Sequence, residues 1–383
     1  MSSLVVNCRQ VGFGSTLGVA HALIQLCAAL AADHDMTFVV ADHEEFKSSP
    51  FASSVGDIAE RIVSIEAVDR GEELLPADGI ELLPHHFQEP EFCGRSIGIC
   101  YDLHVFDIPW KYGDGAESMQ AKLRRSLTRA DAVMTVFPRT FYAVEHIAGI
   151  TLMNLFLTES PLLLDTRPTS SAPRHDDADD GPRRLLYPAQ LQEHKNHSAL
   201  VEGCAALLAR GHDVAVDCPG SEFRPSVTAE LAELVASAAL EDRVSFLGRV
   251  SDQELINLYA SCDGVVVPSL AEGGAYVALE AIAAGKPVAV NRIDAARMHL
   301  EAMDGHVIWF DARDPHDTAN AMEQLVTDDP AHWLALNAAC RERISAASWV
   351  SVAAKWNTVI YMLDGGPRPV LTVDRFAREV VYG

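Results

Sequence analysis

Short apolar runs alternate with helical stretches along most of this 383-residue chain, in two successive series. From Leu4 to about Leu157 the runs are LVVN, TFVV, RIVSI, SIGIC, AVMTV and TLMNLFL, with stretches such as LGVAHALIQLCAALAA and ESMQAKLRRSLTRA between them. From Leu185 the pattern restarts as RLLYPA, HDVAVDC, RVSFLG, GVVVPS, PVAVN and HVIWFD, again with helical segments between. Such alternation predicts α/β architecture: a parallel sheet with helices on its faces, made twice. Residues 166–184, TRPTSSAPRHDDADDGPRR, hold almost nothing apolar and read as a linker or exposed loop. The expected divisions are therefore 1–165, 166–184 and a second doubly wound domain from 185.

Size and charge narrow the partners. A chain of this length with 49% hydrophobic residues can bury two cores. Its net charge of −24, from 30 Lys and Arg against 54 Asp and Glu, repels nucleic-acid phosphates and anionic lipid heads. Charges beyond ~8 Å are largely screened at physiological salt, so a local cationic pocket can still hold a nucleoside diphosphate. Eight cysteines without a CxxC pair read as reduced core residues of a cytoplasmic protein. No uncharged apolar run approaches the ~20 residues of a membrane span, and the N-terminus runs directly into a strand without a leader pattern, so stable membrane insertion is not expected. No metal is expected either. Asp33 and Asp35 beside His34, and the acids between Asp176 and Asp180, lie in a turn and in the linker, and HExxH, GxSxG and GxxxxGK[ST] are all missing.

The candidate site centres on SLAEGGAYVALEAIAAGKPVAV, residues 269–290. Glu272 and Glu280 stand with seven residues between them, across the Gly273–Gly274 turn and into a short apolar helix. Gly285 and Pro287 end that helix before VAV resumes as a strand. A glycine turn running into a helix offers free N–H groups and a positive dipole end, which suit a phosphate. Glu280 is the only charge between Tyr276 and Gly285, and a carboxylate there needs a hydrogen-bond donor such as a sugar hydroxyl. Lys195 follows the strand RLLYPA through a polar loop, where an ammonium at the start of a helix can neutralise a leaving diphosphate. In the first series, VGFGSTLG puts Gly12, Gly14 and Gly18 between strand and helix, which suits a diphosphate approaching the backbone. CYDLHVFDIP puts Asp102 and His104 at a strand end. They either orient or deprotonate an acceptor hydroxyl, or form a capping aspartate beside a surface histidine. Arg249, which precedes Val250 in FLGRV, contacts phosphate or is simply exposed.

These motifs together resemble the retaining family 4 glycosyltransferases of the GT-B fold, whose signature is Glu, seven residues, Glu around a glycine-rich turn. RVSFLGRVSDQELINLYASCDGVVVPSLAEGG and YPAQLQEHKNH follow the family in order and spacing. The first half is similar more loosely, through its Gly-rich loop and Tyr-Asp-Leu segment. The resemblance implies two Rossmann-like domains facing across a cleft. It makes 1–165 the acceptor-binding domain, 185–348 the nucleotide-sugar-binding domain, and 349–383 helices crossing back to the first. It implies transfer, with retention and no cofactor, from a UDP- or GDP-sugar to a hydroxyl or amine of a small-molecule or saccharide acceptor. By position Glu280 would bind the ribose, Glu272 and the Gly273–Gly274 turn the donor sugar, Lys195 the diphosphate, and the Arg249–Val250 segment the nucleobase, with Asp102 and His104 on the acceptor side. Three departures stand out. Gln190 occupies the neighbourhood of a family arginine, Tyr101 replaces a histidine, and Ala275 replaces a glycine. A nucleotide-sugar-binding protein without transferase activity is the alternative that Gln190 and Ala275 suggest. A nicotinamide oxidoreductase built on the Gly12 loop and Asp42 is disfavoured, because its third glycine comes one residue late for the dinucleotide fingerprint.

Overall fold

The computed structural model describes residues 2–11, 18–49, 51–152, 154–158, 161–167, 181–367, 371–373 and 380–382. The chain divides into two compact units, Met1–Leu163 with Ala347–Gly383, and Leu164–Ala346.

In the first unit, β1 (Ser3–Asn7), β2 (Asp35–Val40), β3 (Arg61–Ser64), β4 (Ile80–Leu83), β5 (Arg95–Cys100), β6 (Ala132–Thr135) and β7 (Leu155–Leu157) form one sheet. Its order is β3-β2-β1-β4-β5-β6-β7 and every pair is parallel. The apolar runs mark every strand but β4, whose sequence IELL carries Glu81 in the middle. That carboxylate is fully buried. It is tolerated because it is bonded throughout: Oε1 accepts from Asn7 Nδ2 at 2.7 Å, and Oε2 from the Glu91 and Phe92 N–H groups at 2.8 Å each. The helix Trp349–Leu363 packs on Gly18–Leu30 within this unit and buries Trp356. Asn357 fixes it, pairing with His34 at 2.8 Å and donating to Asp33 at 2.8 Å.

In the second unit, β8 (Arg183–Leu186), β9 (Val214–Pro219), β10 (Val244–Gly248), β11 (Gly264–Val267), β12 (Val288–Asn291) and β13 (Ile308–Phe310) are ordered β10-β9-β8-β11-β12-β13, all parallel. The helix Asp252–Ser261 begins at a full capping box between Ser251 and Glu254. Tyr259 and Cys262 are its most buried side chains, while Leu255 and Leu258 are half-buried. The helix Tyr276–Ala283 stops at Gly285, whose φ of 76° favours glycine. The next residue, Lys286, donates to the Ala260 and Cys262 carbonyls at 2.7 Å each and so satisfies the end of the Asp252–Ser261 helix.

Both sheets reverse their winding next to the first strand, between β1 and β4 and between β8 and β11. In open α/β sheets the loops leaving the strands at such a reversal diverge, and ligands collect at the carboxyl ends there. All the candidate side chains of the second unit follow β8 or β11, except those at the end of β10.

Candidate functional site

The loop after β8 carries Lys195 and the loop after β11 carries Glu272, and the fold joins them. Lys195 Nζ donates to Glu272 Oε1 at 2.6 Å, with the two side chains only 19% and 18% exposed. A polar scaffold holds the two loops in register. The buried Tyr187 hydroxyl donates to the Lys195 carbonyl at 3.1 Å and bonds Ser269 Oγ at 2.6 Å. The Leu270 N–H donates to the His194 carbonyl at 2.7 Å. Asn196 takes the left-handed conformation, φ 57°, that lets the chain turn into the helix His197–Ala209. Its amide donates to the Pro268 and Ala312 carbonyls at 3.3 and 3.1 Å. Asn291, at the end of β12, completes the frame by donating to the Ser269 carbonyl and accepting from Ala312 N–H.

Glu280 lies one turn into the helix Tyr276–Ala283. Its Oε2 accepts from the Tyr259 hydroxyl at 2.7 Å, and its carbonyl accepts from Thr166 Oγ1 at 2.6 Å. Part of the side chain still meets solvent, but the protein packed around the carboxylate desolvates it and pushes its pKa up to about 7, with the Tyr259 bond opposing part of that rise. Burial pushes the Tyr259 phenol well above its ordinary range, so it remains a donor. Among the described residues, the Gly273 and Gly274 N–H groups have no acceptor. The Ala275 N–H has one, His299 Nδ1 at 3.0 Å, and burial holds that histidine at a pKa of about 4, hence neutral and able to accept. Of the turn's amides, those of the two glycines are therefore unpaired among the described residues, Gly273 half-buried and Gly274 buried.

The remaining candidates divide. Gln190 is engaged in the scaffold: its amide donates to Ser221 Oγ at 3.0 Å and accepts from Gln192. It sits where the loops after β8 and β9 touch, and Gly220 makes that approach possible, since a Cβ there would lie 1.8 Å from the Ala189 oxygen. Arg249 stands exposed just past β10 with no ion pair to a described residue, and Val250 is half-buried.

In the first unit, Gly12 and Gly14 lie outside the described residues. Asp42 caps the helix His43–Ser48, accepting from the Glu44 and Glu45 N–H groups at 2.8 and 2.9 Å. Asp102 Oδ1 accepts from the His104 N–H at 3.0 Å and lies 3.6 Å from His104 Nδ1. His104 is largely buried, so a surface histidine does not describe it. Burial alone would raise the Asp102 carboxyl, but nearby His104 and His86 and the His104 N–H outweigh it and hold it well below the usual carboxylate range. The loop after β4 adds two histidines that the sequence pattern did not single out. Burial lowers His85 to a pKa of about 4 and also lowers His86, and Ser126 Oγ holds the His86 carbonyl. Tyr112, pushed up to about 12 by burial and by Asp102 and Asp107, completes this cluster at the ends of β4 and β5. The signal that could have found His85 and His86 was the strand before them, which Glu81 concealed.

Among the described residues no set of three or more His, Cys, Asp or Glu side chains is arranged for a metal ion, and no helix is long and apolar enough to cross a membrane.

Residues 171–344 match the model of the family Glycosyl transferases group 1. The D-inositol 3-phosphate glycosyltransferase of Corynebacterium diphtheriae is 30% identical over 179 residues, 46% of this chain and 41% of that protein. Its namesake from Pseudarthrobacter chlorophenolicus is 31% identical over 194 residues, 48% and 44% of the two chains. The chain thus spans less than half the length of these curated relatives. Among solved structures, Anabaena HepE in complex with UDP and glucose is similar with a TM-score of 0.72 at 14% identity, over 94% of this chain and 100% of that one. Sucrose-phosphate synthase from Thermosynechococcus elongatus is similar with a TM-score of 0.68 at 16% identity, over 95% and 100%. With its two parallel Rossmann-like sheets and these neighbours, the chain has the GT-B fold, and its second unit bears the match to group 1 glycosyl transferases.

Proposed function

We propose that this chain is a retaining glycosyltransferase that moves a sugar from a UDP- or GDP-sugar to a hydroxyl or amine of a small-molecule or saccharide acceptor. The observation that carries this reading is the Lys195–Glu272 pair, fixed at the switch point of the second sheet beside the Gly273 and Gly274 amides, which have no acceptor among the described residues. The glycosyltransferase names of the relatives and the UDP bound by Anabaena HepE support it. In the proposed complex the donor diphosphate takes Lys195 over from Glu272. The ammonium and the two amides then stabilise the charge that grows on the leaving phosphate as the glycosidic bond breaks. Glu272, released, accepts from hydroxyls of the donor sugar. Glu280 accepts from the ribose through Oε1, because Tyr259 occupies Oε2. The leaving phosphate takes the acceptor proton on the same face, which retains configuration. The Asp102–His104 cluster, with His85 and His86 beside it, orients the acceptor from the strand ends of the first unit. The nucleotide sugar is a co-substrate, and the step requires no cofactor.

A thermal-shift panel tests this reading. At ~100 times its dissociation constant a ligand adds ~2.7 kcal/mol of stability, so UDP- or GDP-sugars should raise the melting temperature and NAD should not. A flat response to every nucleotide sugar would sink the assignment. Donor binding without transfer or hydrolysis across a broad acceptor panel would leave a binding protein in its place.

A further inference from the structure

Among the described residues, a half-open cavity of about 370 Å³ in the second unit shares no lining residue with the site described above. Among the described residues its walls are Arg167, Ala283, Arg341, Glu342, Ile344 and Ser345, and its volume falls within the range of small-molecule sites. Arg341 and Ser345 lie one turn apart on the helix Ala338–Ala346 and so present their side chains together. Arg341 is a half-buried residue, and its guanidinium makes no hydrogen bond or ion pair with a described residue. Arg167 is forked onto Asp165, 2.7 Å from Nε, but that pair is 52% and 59% exposed and so weak enough for a stronger anion to displace. Two guanidinium groups on one cavity wall, one without a partner among the described residues and one releasable from Asp165, suit the oxygens of a phosphate. The Glu342 carboxylate would repel a bare anion but accepts from hydroxyls, and the Ser345 hydroxyl can do either.

We propose that this cavity binds a small phosphorylated polyol or sugar, with its phosphate between Arg341 and Arg167 and its hydroxyls on Glu342 and Ser345. The ligand would touch the helix that carries Glu280, through Ala283. It would also pull on the segment in which Thr166, next to Arg167, donates to the Glu280 carbonyl at 2.6 Å. It would tie together the segments by which the chain enters and leaves the second unit, Leu164 onward and up to Ala346. Coupling to nucleotide affinity is then reciprocal: whatever factor the phosphate imposes on the nucleotide, the nucleotide imposes on the phosphate.

Calorimetric titration of the full chain without nucleotide is the test, with glycerol 3-phosphate, inorganic phosphate and glycerol as probes. Glycerol 3-phosphate should bind more tightly than inorganic phosphate, and glycerol should not bind. Arg341→Ala should weaken glycerol 3-phosphate binding about tenfold or more while UDP binding in its absence is unchanged, and Arg341→Lys should recover part of the loss. Glu342→Gln should erase the preference over inorganic phosphate. No binding of either phosphate probe, equal affinity in Arg341→Ala, or complete displacement by UDP would each overturn the site. None of these outcomes depends on whether UDP-sugars are donors, so the two readings fail separately.

Discussion

Among the described residues the Glu280 carboxylate meets one donor, the Tyr259 hydroxyl, in surroundings that lift its pKa to about 7. Ribose hydroxyls would donate best to the ionised carboxylate, so nucleotide binding should draw a proton off it. UDP affinity measured by calorimetry should then fall about tenfold per pH unit below 7, and Glu280→Gln should flatten that slope. The stability sign is opposite to that of an ordinary ion-paired acid. With its pKa raised above the usual 4.5, the contribution of Glu280 is fully present below about pH 4.5 and is lost as pH rises through about 7. Tyr259→Phe removes the bond that opposes the shift, so its melting temperature should drop below that of the parent most at pH 8 and least near pH 5. Lys195 makes a different prediction. Lys195→Ala should lower turnover by about 10²–10³-fold. Adding Glu272→Gln should restore melting temperature but not turnover, since it removes only the orphaned charge; restored turnover would move the cation's role elsewhere. Each of these residues was legible alone, from spacing and from its place after an apolar strand. Their pairing was not, because Lys195 and Glu272 are 77 residues apart and meet only when β8 and β11 lie side by side.

Elements were legible where one signal repeated, and they failed where a polar residue was buried. All six strands of the second sheet follow apolar runs read from the sequence, and Ser251 with Glu254 marks its helix start correctly. β4 escaped because a buried carboxylate looks like a surface residue until the Asn7 amide and two backbone donors are seen around it. His85 and His86 went with it. Loop-to-loop contacts are equally hidden, and Gly220 is the sharpest case. Its missing Cβ lets the loop after β9 touch the Ala189 carbonyl beside the Gln190–Ser221 bond, and its own N–H donates to Gly248 at 2.8 Å. Backbone on backbone cannot yield as a flexible side chain can. Gly220→Ala should therefore destabilise by about 2–4 kcal/mol in urea titrations and also weaken nucleotide binding, because the displaced loop leads to Lys195. A change within about 0.5 kcal/mol would show that the two loops part freely.

At the scale of the molecule, the chain closes its first unit only after the second is complete. Among the described side chains of Gly18–Leu30 only Gln25 and Ala28 are exposed, the rest being buried or half-buried, so the helix needs cover besides the sheet. The helix Trp349–Leu363 packs on it, with Val352, Trp356, Val359 and Ile360 buried. At about 1.5–3 kcal/mol per buried side chain, these four alone represent roughly 6–12 kcal/mol of burial. That is comparable with the whole stability of a domain, about 5–15 kcal/mol. Removing residues 347–383 should therefore abolish the first unit's calorimetric transition and leave the second unit's transition in place. A separate chain of residues 164–346, which retains β8–β13, Lys195, Glu272 and Glu280, should fold on its own and bind UDP within severalfold of the intact protein. If that fragment unfolds cooperatively but no longer binds UDP, the nucleotide depends on groups from the first unit, and the donor site as argued from Lys195, Glu272 and Glu280 is incomplete.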